Sequence, residues 1–437
     1  MPELKIAFMG AGSPFAAGLV VDLLLSETLR EWESTVVLVD TNRAAAEGTC
    51  LFAERAAQRV GVREHSFEFT TDRGEALDGA DFVLCAVERD RMKTWRQDYN
   101  IPLRHGVKQA LGECAGPGAL FHFLRNLVVV LEIAREMEKR CPSAPMLTFT
   151  NPENRLPFAI NTFTGVKTYG FCHGVFIGAR KIAALLGRPA ESLSYSAAGL
   201  NHFTWFTRLE DKETGRDLYP ELRQKDREHP LEQGPVLDRI AFRRFGLWPS
   251  PGGNHIAEYL AWAGDFEPKQ PWLIEDQLHA EAPKSWYPDP DSAAHRAEHL
   301  VEGRGGWEKV IRPSGELPIP MIEGLVGGAP RRLEAVIHTN AGAISNLPAD
   351  AAVEAPAKAH AGGVELERIG DLPEAIAAMC RTQISIHKIG LEAFRTRSKD
   401  LLIQAVLIDP VVTSYDGAIA MVEEFLRVQR EYLPEFR

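Results

Sequence analysis

Positive charge is in short supply. Lys and Arg number 49 against 60 Asp and Glu, and the formal net charge is −11. General nucleic-acid binders and binders of anionic membranes displace counterions with a basic face, so neither partner is expected and a small molecule fits better. Paired cysteines are lacking as well. The six cysteines, at 50, 85, 114, 141, 172 and 380, contain no CxxC. So sparse a set is no disulfide framework and reads as the reduced thiols of a cytosolic protein. The apolar stretch of "MPELKIAFMG" ends at a glycine, short of a signal peptide's core, and no later run reads as a membrane span. A cytoplasmic location is the expectation. With no repeat, low-complexity tract or like-charge block, a solenoid or a disordered chain is also disfavoured.

What remains is an ordinary globular composition, 45% apolar and 25% charged over 437 residues, enough for two closely packed units. "KIAFMGAGS" reads as strand and tight turn: an apolar run stops at Gly10-Ala11-Gly12-Ser13, and "FAAGLVVDLLLSETL" follows at helical spacing. Such a turn presents backbone amides at a helix N-terminus, where a pyrophosphate binds. Phe15 stands where the full fingerprint has its third glycine, and taken alone the turn reads equally well as structural. "STVVLVDTN" reads as a second strand ending in Asp40, placed to accept hydrogen bonds from an adenosine ribose. An acid there disfavours a 2′-phosphate, so NAD is expected over NADP.

The alternation continues with a helix at 42–60, strands at 81–87, 146–152 and 168–172, and a long helix after Pro117. Buried strands alternating with helices predict an α/β fold, a doubly wound parallel Rossmann-type sheet over 1–195. The mixed strands and helices of 196–437 predict an α+β substrate unit packed against it, with long helices near 373–400 and 416–430. Ligands of such sheets lie beyond the strand C-termini, which places Asn151 and Cys172 at the crevice. Asn151, before a proline, reads equally as a turn cap.

A thiolate and a neutral imidazole suit a borderline divalent transition metal. His173 follows Cys172, but neighbours in a strand point to opposite faces. His202, in "GLNHFTW", is the better second ligand. The alternative is a small buried cysteine and a hydrogen-bonded core histidine.

"MGAGS", "GECAGPG", "TNPEN", "GFCHG", "GLNHFTW" and "NLPADAAVEAP", in this order, resemble family four of the glycoside hydrolases, the NAD- and Mn²⁺-dependent glycosidases. The resemblance runs from about residue 4 to beyond residue 410. It implies that Cys172 and His202 bind Mn²⁺ or another divalent metal, which also holds the sugar's hydroxyls at carbons 2 and 3. It implies a transient oxidation at carbon 3 by bound NAD⁺, loss of the acidified proton at carbon 2, and expulsion of the glycosidic oxygen by elimination. Water then adds and the hydride returns, so the net chemistry is hydrolysis outside the two-carboxylate scheme. Glu113 and Asn151 match positions that contact sugar or cofactor. His173 matches a position for leaving-group protonation, although a solvated imidazole reads equally well there.

The base is sought in "PSPGGNHIAEYLAW", which offers His255, Glu258 and Tyr259, with Gly253 where an acidic residue is expected. His255 is preferred; Tyr259, one helical turn along, reads as the base or as a core aromatic. Residues 211–235 and 264–330 read as covering loops, Pro318 and Pro320 among them, with oligomer contacts expected there. Homo-oligomers, dimers or tetramers, are usual in the family. "CHG" looks most like the members that cleave α-linked uronides, whose carboxylate needs a guanidinium; Arg155, Arg180, Arg243 and Arg244 are nominated. Two rival readings are a 2-hydroxyacid dehydrogenase, since lactate and malate dehydrogenases share this architecture, and a non-catalytic NAD-binding regulator, for which Gly253 is the support.

Overall fold

The computed structural model describes residues 1–108, 110–266, 273 and 306–437. Six strands, β1 (Glu3–Met9), β2 (Glu33–Val39), β3 (His65–Thr70), β4 (Phe82–Cys85), β5 (Met146–Thr148) and β6 (Thr168–Gly170), lie parallel in the order 3-2-1-4-5-6. β4, β5 and β6 are buried at every position, as strands covered by helices on both faces must be. The strand order reverses at β1, where β2 lies on one side and β4 on the other, and this switch point opens a crevice beyond the strand ends. Helix Arg43–Val60 is capped by the Asn42 side chain and stopped by Gly61.

The sheet does not end with the Rossmann-type unit. β10 (Arg331–Thr339) pairs antiparallel with β6 and continues the sheet through β11 (Ala352–His360), β7 (Leu193–Leu200), β8 (Phe203–Asp211) and β9 (Pro249–Ser250), while β12 (Gly363–Leu366) pairs with β11. The boundary expected at 195/196 falls inside β7, and the two units share one twelve-stranded sheet. The edge of β6, which would otherwise present open backbone groups, is covered by β10.

Helix Gly116–Arg140 is long and apolar enough to cross a membrane by length and composition, yet 83% of its most apolar window is buried. It is the core helix of the fold. Its partners come from the other end of the chain: Ile386, Leu391, Phe394, Met421 and Phe425 join Leu127 and Val130 in one core with Ala7 and Val83 of the sheet. The helix expected near 373–400 is Glu374–Thr396; it ends where Arg397 turns left-handed, and Ser398 caps a further helix, Lys399–Leu407. The loop expected around Pro318 and Pro320 is helix Pro318–Leu325, because a proline in the first turn needs no amide partner. Most of the expected covering segment 264–330 lies outside the described residues.

His387, on helix Glu374–Thr396, is buried, and burial, reinforced by the Arg155 guanidinium, holds its imidazole well below the usual histidine range. It stays neutral in the fold while the unfolded chain takes up a proton near pH 6.5, so its contribution is present above that pH and is lost as pH falls. Each such group should steepen the acid side of the stability curve by up to about 1.4 kcal/mol per pH unit. Urea unfolding of His387→Gln between about pH 7 and pH 5 is expected to show a slope shallower by about one proton. An unchanged slope would refute the assignment.

Candidate active site

The dinucleotide turn is built as its glycines require. Gly10 has φ +86°, and a Cβ there would lie 2.2 Å from the Ala86 carbonyl oxygen, so only glycine lets β1 and β4 end side by side. Gly12 N–H donates to Asp40 Oδ2 at 2.8 Å, and Asn42 N–H donates to Asp40 Oδ1 at 2.9 Å, which fixes the carboxylate at the end of β2 with lone pairs to spare. Ser13 stands before helix Pro14–Leu25, and its hydroxyl is buried without a hydrogen-bond partner. An orphaned hydroxyl at a helix N-terminus, beside amides that no side chain can crowd, fits a bound pyrophosphate. Phe15, in place of the third glycine, stacks on Phe149 with ring centroids 4.5 Å apart.

Four strands along from β2, past β1, β4 and β5, the same sheet edge carries Cys172, just beyond β6. His202 arrives from the two-residue turn joining β7 to β8. The Cys172 sulfur and His202 Nε2 are 3.3 Å apart. Two ligands of one ion, at bond lengths of about 2.3 and 2.1 Å and close to a right angle, have this separation. His202 is held in the left-handed region at φ +64°, which for a non-glycine residue costs about 1–3 kcal/mol and persists only where its surroundings enforce it. They do so through Asn201: its N–H donates to Asn154 at 2.9 Å, its side chain donates to Glu354 at 3.1 Å, and its carbonyl accepts the Tyr259 hydroxyl at 3.0 Å. His202 Nδ1 lies 2.7 Å from the Cys114 sulfur, so the ring is gripped on both nitrogens. Burial pushes both thiols up and the imidazole well down, with the neighbouring His255 adding to the latter. A soft sulfur and a neutral imidazole form a donor set that fits a borderline divalent metal.

Glu113 closes the floor. Its carboxylate accepts from Arg91 at 2.6 Å and from Asn151 at 3.1 Å; burial would raise its pKa, but Arg91 and His202 hold it below the usual carboxyl range. Asn151 ends the β5 loop and also receives the Asn126 side chain on its carbonyl at 2.7 Å. Glu258 lies behind the loop, buried, accepting the N–H groups of Glu113 at 2.7 Å and Cys114 at 3.2 Å. Burial and the charge of Glu113 push its carboxyl up to about 8 against those amides.

The structure brings Glu113, Asn151, Cys172, His202 and His255 together; one ligand atom from each of Glu113, His202 and His255 lies within 4.8 Å of the others. The His255 ring sits 4.2 Å from that of His202, and burial, with Lys181 and His173 adding to it, lowers its pKa to about 3. Tyr259 is elsewhere. It is buried, stacked on Phe203 at 4.6 Å, with its hydroxyl donated to Asn201, which makes it a core aromatic that steadies the turn carrying His202. His173 is half exposed, 3.5 Å from Glu316, at the N-terminus of helix Gly174–Leu186.

Of the nominated arginines, Arg243 is paired with Asp226 at 2.6 Å, and Arg180 and Arg244 are exposed. Arg155 is fully buried, with no hydrogen-bond partner on any of its three nitrogens. Sequence reasoning offered Glu258 only as a candidate base and passed over Arg91 and Cys114. An arginine at the start of helix Arg91–Arg104 and a cysteine after Glu113 carry no periodic signal, and only the loop "GECAGPG" itself pointed here.

Two family models match the chain: "Family 4 glycosyl hydrolase" over residues 5–188 and "Family 4 glycosyl hydrolase C-terminal domain" over residues 197–412. An alpha-galactosidase of Rhizobium meliloti is 31% identical, the alignment covering 100% of this chain and 90% of that protein. An alpha-galacturonidase of Bacillus subtilis is 30% identical over 94% of each. Among solved structures, a 6-phospho-alpha-glucosidase from gut microorganisms, in complex with NAD and Mn²⁺, is alike in fold with a TM-score of 0.76 at 21% identity, covering 100% of both chains. The matches to both halves overturn the dehydrogenase reading. Matched along almost its whole length by one family and by a relative at 31% identity, the chain belongs to family 4 of the glycosyl hydrolases.

Proposed function

We propose that the chain hydrolyses α-linked glycosides, α-galacturonides in preference to neutral α-galactosides, with NAD and Mn²⁺ or another divalent ion in the crevice. The observation that carries this reading is the 3.3 Å approach of the Cys172 sulfur to His202 on the sheet edge that also bears the dinucleotide turn. When bound, NAD⁺ accepts a hydride from sugar carbon 3 and later returns it, while the ion holds the hydroxyls at carbons 2 and 3 and stabilises negative charge developing there.

The protein's own groups do the rest. Glu113, kept ionised by Arg91, accepts a hydrogen bond from a sugar hydroxyl and so orients the ring. His173, at the half-exposed mouth beside Glu316, donates a proton to the departing glycosidic oxygen. A base takes the proton from carbon 2; Tyr259 is turned into the core and His255 stands against His202. The bond from carbon 1 to the glycosidic oxygen breaks and water adds, so the net reaction is hydrolysis. A homo-oligomer in the cytoplasm belongs to the same reading.

Two measurements on an aryl α-galacturonide with NAD⁺ and Mn²⁺ test it. Hydrolysis in D₂O is expected to give product deuterated at carbon 2, because the abstracted proton exchanges with solvent; full retention of the original hydrogen removes the elimination step. The reading nominates Arg155, whose three guanidinium nitrogens make no hydrogen bond within the fold, for the uronate carboxylate. One charge-assisted hydrogen bond contributes about 1.5–3 kcal/mol, so kcat/KM should favour the uronide over the matching galactoside by about tenfold to a hundredfold. Equal turnover of the neutral sugar would move the substrate to an α-galactoside.

A further inference from the structure

A neutral imidazole carries one proton, and the nitrogen without it is the one that can bind an ion. The His202 ring has a sulfur against each nitrogen, Cys172 at 3.3 Å from Nε2 and Cys114 at 2.7 Å from Nδ1. The two are not equivalent. Cys172 is half-buried at the crevice edge beyond β6, whereas Cys114 is buried behind the ring. Cys114 is placed by its backbone. The Glu258 carboxylate accepts the N–H groups of Glu113 at 2.7 Å and of Cys114 at 3.2 Å, and the left-handed Gly112 and Gly116, at φ +71° and +78°, turn the chain on either side. The loop has little room to retreat, because helix Gly116–Arg140 follows at once and a Cβ on its Gly118 would strike the Asp98 carbonyl oxygen. One loop thereby delivers two groups: the Glu113 carboxylate, bonded to Arg91 and Asn151, and the Cys114 sulfur, set against Nδ1.

We infer, resting on the metal-dependent reading above, that Cys114 is a positioning residue for the ion-binding His202: its sulfur accepts the Nδ1–H and so fixes the tautomer that turns the Nε2 lone pair toward Cys172. A ligating histidine ordinarily gives its second N–H to a carboxylate, a carbonyl or a water, and that outer contact sets the ring's angle and its basicity. Here a thiol takes the place. Sulfur is a weak acceptor, so it holds the ring while adding less to the donor strength of Nε2 than a carboxylate would, which leaves the ion the stronger Lewis acid.

The test is metal binding, read without turnover. Full-length protein is stripped with chelator, saturated with NAD⁺ and titrated with Mn²⁺ by calorimetry, then loaded with Co²⁺ for proton NMR. Cys114→Val keeps nearly the size of the side chain and removes the acceptor; its Mn²⁺ Kd is expected to rise about tenfold to a hundredfold, the usual loss when a metal-bound histidine is deprived of its outer contact. Cys114→Ala, which cannot crowd the loop, should weaken binding in the same way, while Cys114→Ser returns an acceptor oxygen and should hold the Kd close to wild type. In the Co²⁺ protein a hyperfine-shifted imidazole N–H signal that disappears in D₂O is expected, and in the valine variant it should broaden by faster exchange. Valine and alanine variants that bind Mn²⁺ like the wild type, with that signal unchanged, would overturn the inference and leave the metal-dependent reading intact. So would a serine variant as weak as the valine one, since the sulfur would then serve only to pack. A wild-type chain that binds no Mn²⁺ would overturn both.

Discussion

Replacing Cys172 by serine is expected to lower kcat/KM on an aryl α-glycoside by about a thousandfold or more, about 4 kcal/mol of transition-state stabilisation. His202→Ala should do the same. The sulfur and Nε2 are 3.3 Å apart, and in the proposed site both would hold the ion, so losing either would leave an incomplete donor set. The fold should survive both changes, because the turn carrying His202 is fixed by Asn154, Glu354 and Tyr259 acting on Asn201 and not by the imidazole. Thermal unfolding close to wild type, together with lost activity, is the expected pair of results. Activity near wild type at limiting Mn²⁺ in either variant would refute the ligand assignment.

Removal of the cofactors should be nearly as damaging. Protein stripped of nucleotide and treated with chelator is expected to lose activity by at least about a hundredfold and to recover it only when NAD⁺ and a divalent metal are both returned. No NADH should accumulate, since the hydride taken at carbon 3 goes back to the same sugar. Absorbance at the NADH band during steady turnover checks this directly. The dependence on nucleotide follows from Gly10, Ser13 and Asp40 lying on the edge that also carries Cys172. Undiminished hydrolysis by the stripped protein would remove the oxidative scheme, and steady NADH production would point back to a dehydrogenase.

The sequence by itself determined the parallel half of the fold. Strand-forming runs that are apolar at nearly every position, separated by helical spacing, have one economical solution, a sheet covered on both faces, and the turn at Gly10 marks its switch point. It also marked Cys172 and His202, because a strand end and a turn glycine flank them visibly. The family resemblance, rather than spacing, gave them their joint role.

What only the tertiary structure decided are relations between segments that share no local pattern. Periodicity reports which face of an element is buried and says nothing of which distant element buries it. Thus the sheet was read as ending at residue 195, whereas β10, more than 150 residues after β6, covers that edge and joins the two halves. Tyr259 and His255, four residues apart, read as alternatives for one role; the glycine turn at Asp238 sends His255 to His202 and Tyr259 to the carbonyl of Asn201. Glu258, offered beside them for the same role, is buried beneath the amides of Glu113 and Cys114, since its neighbours in space come from 145 residues earlier in the chain. Charge in a sequence carries no label for depth; only packing, which removes water from one glutamate and leaves it on the next, decides which carboxylates build the site.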